Sequence, residues 1–234
     1  MSDKLSRLVE DLKRAHGDNL ASVVLFGSAA AGNHIEGRSD LNVLVVLNRI
    51  TPEDLRAAHP VITEWRKAGN SLPIYFTRDE MASSSDVFPI EFSDMTEIHR
   101  VLYGIDPFDG LRISTTNLRL QCEFELRGKL IRLRDLYIPN SGDVERLSRL
   151  MAESLSSFAV LFRHVLRLLG EEPPKKKREV VLSLASRLNL DREPFLKILS
   201  VREDNKKLVE AEAHQVFAGY LAQIERVIEA VDKI

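Results

Sequence analysis

One cysteine, Cys122, and one tryptophan, Trp65, are all that the 234 residues contain of either. A single thiol excludes an internal disulfide and a thiolate metal cage. Aromatic residues are sparse at 6%. No apolar run approaches the roughly 20 residues that span a bilayer, so no membrane partner is expected. The opening Met-Ser-Asp-Lys-Leu is charged and no apolar stretch follows it, so no secretory leader is expected and a cytoplasmic location is. Excess charge is missing too. The formal net charge of -2 offers no global footprint for nucleic acid. What is present, 44% apolar and 29% charged residues, is ordinary for a globular chain.

The pattern changes near residue 110. Before it, short apolar strands alternate with helical stretches; after it, nearly everything has helical period. Residues 2–15 place Leu5, Leu8, Val9 and Leu12 on one helix face, with Gly17 as the stop. Residues 21–26 and 41–47 read as strands, the second apolar throughout and so buried on both faces. Thr51 and Pro52 open a helix expected to reach Lys67. Residues 72–77 form a third strand and 78–84 a short helix. Residues 88–93 read as a fourth strand, and 96–103 as a mixed stretch broken by Gly104. Asp106, Pro107 and Gly110 then make a turn-rich boundary. Five helices follow, at about 115–137, 143–169, 176–188, 191–199 and 204–232. The expected class is α+β: a mixed sheet with helices over residues 1–110, then an all-α helical bundle over 111–234.

Chemistry concentrates between residues 25 and 46. An apolar strand runs into Gly27-Ser28, a small-residue stretch follows, and a second strand opens with Asp40-Leu41-Asn42. Gly27 lets the backbone approach a ligand. The amides after it, and the Ser28 hydroxyl, supply donors of the kind phosphate needs. Asp40 and Asn42 are two apart on a strand and so share a face. Taken alone, Gly27-Ser28 is also what a plain strand-to-helix turn would use.

The whole arrangement resembles the signature of the DNA polymerase β-like nucleotidyltransferases: Gly-Ser, a short helix, then Asp-x-Asp on the next strand. The resemblance covers about residues 20–100. It implies transfer of a nucleoside monophosphate from a nucleoside triphosphate to a hydroxyl acceptor, whose identity the sequence leaves unknown. It also implies magnesium as cofactor. Gly27, Ser28, Arg38 and Ser39 are the implied phosphate and nucleotide contacts; Asp40 and Asn42 are the implied metal ligands. Asn42 stands where the family has its second aspartate. An amide oxygen can ligate magnesium but brings no charge. The family's third acid is expected on the 72–77 strand, which has none, with Ile74 near that place. Glu91 is the substitute candidate for catalysis; its other reading is an outward residue on an edge strand. A catalytically degenerate nucleotide- or protein-binding module is the alternative function. His34 and the Lys175-Lys-Lys-Arg178 run read more simply as solvated loop residues. A helical bundle after the catalytic domain is also the arrangement of aminoglycoside nucleotidyltransferases.

Overall fold

A computed structural model of the protein describes residues 2–32, 41–203 and 208–234. The chain divides into two compact units, Met1–Ser114 and Thr115–Ile234.

The first unit is built on a four-stranded sheet. Helix α1 (Ser2–His16) leads into β1 (Leu20–Phe26), and a 3-10 turn (Gly27–Ala29) follows. Next come β2 (Asn42–Leu47), α2 (Pro52–Ala57), α3 (His59–Lys67), β3 (Ile74–Thr77), α4 (Arg78–Ser84), α5 (Pro89–Glu97) and β4 (His99–Gly104). The strand order is β3-β2-β1-β4. β1 is antiparallel to both β2 and β4, and β2 is parallel to β3.

Both faces of the two central strands are covered, which is why residues 43–47 are apolar without alternation. Val23, Leu25, Val43, Val45 and Leu47 face Leu5, Leu8 and Leu12 of α1 and Trp65 of α3. Val24, Leu44 and Val46 face Met81 of α4, Phe92 and Met95 of α5, and Phe108.

Three expectations are corrected. Residues 88–93 are not a strand: from Pro89 onward they belong to α5. Exposed Glu91 between buried Ile90 and Phe92 mimics strand alternation for three residues. Met95, also buried, lies three past Phe92, and Pro89 opens the helix with its preset φ. The fourth strand instead lies at His99–Gly104, inside the stretch read as mixed. The helix expected over 52–67 breaks after Ala57, and Pro60, which has no N–H to carry the hydrogen-bond ladder through, sits in the first turn of the helix that follows. The Thr51 cap is present: its hydroxyl accepts from the Asp54 amide, and Asp54 answers with a bond from the Thr51 amide.

His16 closes α1 inside this core. It is 8% exposed, packs edge-on against Tyr75 at 6.0 Å, and has no partner on either ring nitrogen among the described residues. Burial holds its imidazole below the ordinary histidine range, against an opposing pull from Asp54. The unfolded chain therefore takes up the proton first. This stability is whole above the unfolded value of about 6.5 and is lost as pH falls from there toward the folded value. The urea midpoint of the first unit is expected to drop between pH 7.5 and 5.5, and the drop to shrink in His16→Phe. Equal pH slopes in the two proteins would refute this.

The second unit holds α6 (Thr115–Asn140), α7 (Val144–Leu168), α8 (Lys177–Arg187), α9 (Glu193–Glu203) and α10 (Glu210–Asp232). Leu118, Cys122, Leu126, Leu130 and Leu133 are the buried stripe of α6. Phe158 and Phe162 of α7, Phe195 of α9 and Tyr220 of α10 meet edge to face in the core. Asp143 caps α7 by accepting from the Glu145 and Arg146 amides. Asp191 accepts from the Glu193 amide at the start of α9.

Candidate functional site

The site grows from the end of β1. Gly27 follows Phe26 with φ +74°, a left-handed conformation that glycine adopts without steric cost. Its N–H donates to Ile98 O at 3.1 Å. Its carbonyl accepts from Ala30 N at 3.0 Å and from Ala31 N at 3.3 Å. The first bond of the turn is thus donated by Ala30, and it leaves the Ser28 and Ala29 amides unused by the turn itself. Ser28 is exposed and Ala29 is buried.

Asn42 opens β2 directly across from Phe26. It is partly exposed. Its Nδ2 lies 3.2 Å from the point that a Cβ on Gly27 would occupy. Side chains alternate along a strand, so Asn42 shares its sheet face with Leu44 and Val46, under α4 and α5, at the edge nearest the Gly27 turn. It lies against that turn and not within the core. Asp40, Ser39, Arg38 and His34 fall outside the described residues.

Ile74 pairs with Leu44 across β2 and β3. It carries no oxygen ligand, and it is 40% exposed. Glu91 is brought in on α5 and not on a strand. It lies exposed in the first helical turn, while Phe92 and Met95 of the same helix pack on the sheet face that Asn42 shares.

Sequence reasoning missed His99 and Asp106. His99 opens β4 directly across from Phe26 on the other side of β1. Its Nε2 lies 3.0 Å from Asp106 Oδ2 and its Nδ1 3.0 Å from Thr96 O. The ring packs on Phe108 at 4.7 Å. Asp106 also accepts from the Phe108 amide at 2.9 Å. Burial pushes the Asp106 carboxyl up, but the His99 bond, the Phe108 amide and the nearby imidazole outweigh it and hold the group below the usual carboxylate range. The pair lies seven positions apart across a turn, a spacing with no motif behind it. Only Pro107, marking the turn, hints that the two sides meet.

Among the described residues, no three His, Cys, Asp or Glu side chains are placed to hold a metal together.

Residues 5–95 match the nucleotidyltransferase domain family. No curated protein matches the chain. The crystal structure of spectinomycin adenyltransferase AAD(9) from Enterococcus faecialis, with ATP and spectinomycin, is similar with a TM-score of 0.58 at 16% identity; the similarity covers 97% of this chain and 99% of that one. A toxin-antitoxin structure with AMP-PNP matches with a TM-score of 0.31 at 20% identity, over 45% of this chain and 78% of that one. At 16% identity the adenyltransferase likeness establishes the fold: a nucleotidyltransferase-type mixed sheet followed by helices.

Proposed function

We infer that this chain, whose residues 5–95 match the nucleotidyltransferase domain family, binds a nucleoside triphosphate at the Gly27 turn and transfers its nucleoside monophosphate slowly to a hydroxyl acceptor. One observation carries this reading: the turn at the end of β1 has an exposed Ser28, amides free of the turn's own bonding, and the Asn42 amide packed against Gly27. Glycine at 27 keeps that space open; any side chain there would meet Asn42.

Gly27 and Ser28 would hold phosphate oxygens, with Arg38 and Ser39 as the further contacts that the family resemblance implies. Asp40 and Asn42 would hold one magnesium ion, which would offset phosphate charge. Glu91 is the proposed base, because α5 lies over the sheet face that Asn42 shares. The acceptor oxygen bonds to the α-phosphorus, pyrophosphate leaves, and the acceptor's proton passes to the Glu91 carboxylate. The structurally similar adenyltransferase was crystallised with ATP and spectinomycin, which makes ATP the first donor and hydroxylated small molecules the first acceptors to try. The neutral Asn42 and the oxygen-free Ile74 favour a second reading, nucleotide binding without turnover.

Calorimetry tests the common part. ATP should bind, and Ser28→Ala should weaken it by about 1.5–3 kcal/mol, the value of a hydrogen bond to a charged group. No heat from ATP, GTP, CTP or UTP at millimolar concentration would overturn the proposal. Transfer of label from ATP to acceptors then separates the enzyme from the binding module.

A further inference from the structure

His99 is tied at three points. Its Nδ1 faces Thr96 O at 3.0 Å, an oxygen that only accepts. Its Nε2 lies 3.0 Å from the Asp106 carboxylate. Both ring nitrogens are thus engaged by oxygens, and the ring packs tilted on Phe108 at 4.7 Å. Thr96 lies in the last turn of α5. The final carbonyls of a helix have no partner within it. The Nδ1–H bond supplies one.

Two backbone facts connect this knot to the candidate site. Ile98, immediately before His99, accepts the Gly27 N–H at 3.1 Å. His99 itself is in register with Phe26, immediately before Gly27. The path of the 96–99 corner therefore decides where the Ile98 carbonyl sits. The carbonyl in turn fixes the amide of the glycine on which the turn pivots.

We propose that His99 is a positioning residue for the phosphate-binding turn: joined to Asp106, it locks the 96–99 corner so that Ile98 holds Gly27 and Ser28 stays presented. It acts through Ile98 and Gly27, not on the nucleotide. The inference rests on the turn being the nucleotide site, but its mechanical half can be tested apart from that reading.

The experiment compares wild type, His99→Ala, His99→Asn and Asp106→Asn by NMR and by ATP titration. In wild type, Nδ1 of His99 should show the ¹⁵N shift of a hydrogen-bonded N–H. Exchange of the Gly27 amide should quicken by about five-fold or more in His99→Ala, as expected when a hydrogen bond that orders it is weakened. ATP affinity should fall by a similar factor. Asn at 99 can place its Nδ2 near the position of Nδ1 and so keep the Thr96 bond; it should restore most of the Gly27 protection that alanine loses. Asp106→Asn, which leaves the ring in place, should lie between.

Unchanged Gly27 exchange in a folded His99→Ala would overturn the proposal. A faster Gly27 amide with unchanged ATP affinity would overturn its functional half. If wild type binds no ATP, the nucleotide reading fails by itself, while the Gly27 exchange still decides the clamp. Should alanine unfold the unit, Asp106→Asn carries the comparison: Gly27 exchange no faster than in wild type overturns the proposal.

Discussion

Gly104→Ala is expected to cost the first unit more than about 3 kcal/mol, a large loss by the standard of single substitutions. Gly104 ends β4 with φ +79°, and it sits opposite Ser22 where the β1–β4 register shifts between Val23 and Val24. A Cβ there would lie 2.0 Å from Ala21 O and 3.0 Å from Ser22 Cα. Both are backbone atoms of the central strand, so no rotamer change can relieve the overlap. Ser22 tightens the approach: its buried hydroxyl donates toward Tyr103 O at 3.0 Å and Ile105 O at 2.8 Å, on either side of the glycine. A side chain must either push β4 off β1 or distort both, in addition to about 1–2 kcal/mol for the left-handed conformation. Gly110→Ala is the control. Its φ is +77° but nothing lies within 4 Å of its Cβ position, so only the conformational part should appear. Urea unfolding of the three proteins checks this. A Gly104→Ala midpoint no lower than that of Gly110→Ala would mean that the strands do not approach so closely. The function should follow the stability, because β4 begins at the corner whose Ile98 carbonyl holds Gly27.

The sheet's centre was legible because burial on both faces leaves a plain mark, the unbroken apolar run from Val43 to Leu47. The amphipathic stripe of α1 and the Thr51 cap were legible for similar reasons: each is a local rule acting over a few residues. Residues 88–104 were misread because two local rules competed there. The Ile90-Glu91-Phe92 triplet has strand alternation, and Pro89 has the character of a helix start. Packing of Phe92 and Met95 on the sheet decided for the helix, and that is a tertiary fact. The candidate site divides the same way. Gly27, Ser28 and Asn42 stand out by their spacing along the chain. That Asn42 lies against Gly27 is a consequence of pairing Phe26 with Asn42. The His99–Asp106 pair leaves no spacing to recognise, since it forms only when β4 has paired with β1 and the 105–108 turn has folded back.

Asn42→Asp is expected to raise the affinity for manganese or magnesium by about ten-fold or more, equivalent to about 1.4 kcal/mol. The substitution is nearly isosteric. The Asn42 side chain already lies beside Gly27, with Nδ2 3.2 Å from the absent Cβ position, so a carboxylate can take its place without moving the turn. What changes is charge. Two unit charges 4 Å apart interact by about 4 kcal/mol at the effective dielectric of a protein surface, and a divalent ion doubles the attraction; desolvation of the new acid takes back part of it. The same charge repels phosphate, so ATP binding without metal should weaken while binding with metal strengthens. Transfer should rise less than metal affinity, because Ile74 still contributes no third acid and Glu91 stands on a helix rather than the neighbouring strand. Manganese titrations of wild type, Asn42→Asp and Asn42→Asp with Asp40→Ala, beside transfer of label from ATP, separate these effects. Equal manganese affinity in wild type and Asn42→Asp would show that residue 42 is no part of a metal seat. Rapid transfer by the wild type that Asp40→Ala abolishes would show instead that an amide at position 42 is ligand enough, and that its missing charge matters little to the reaction.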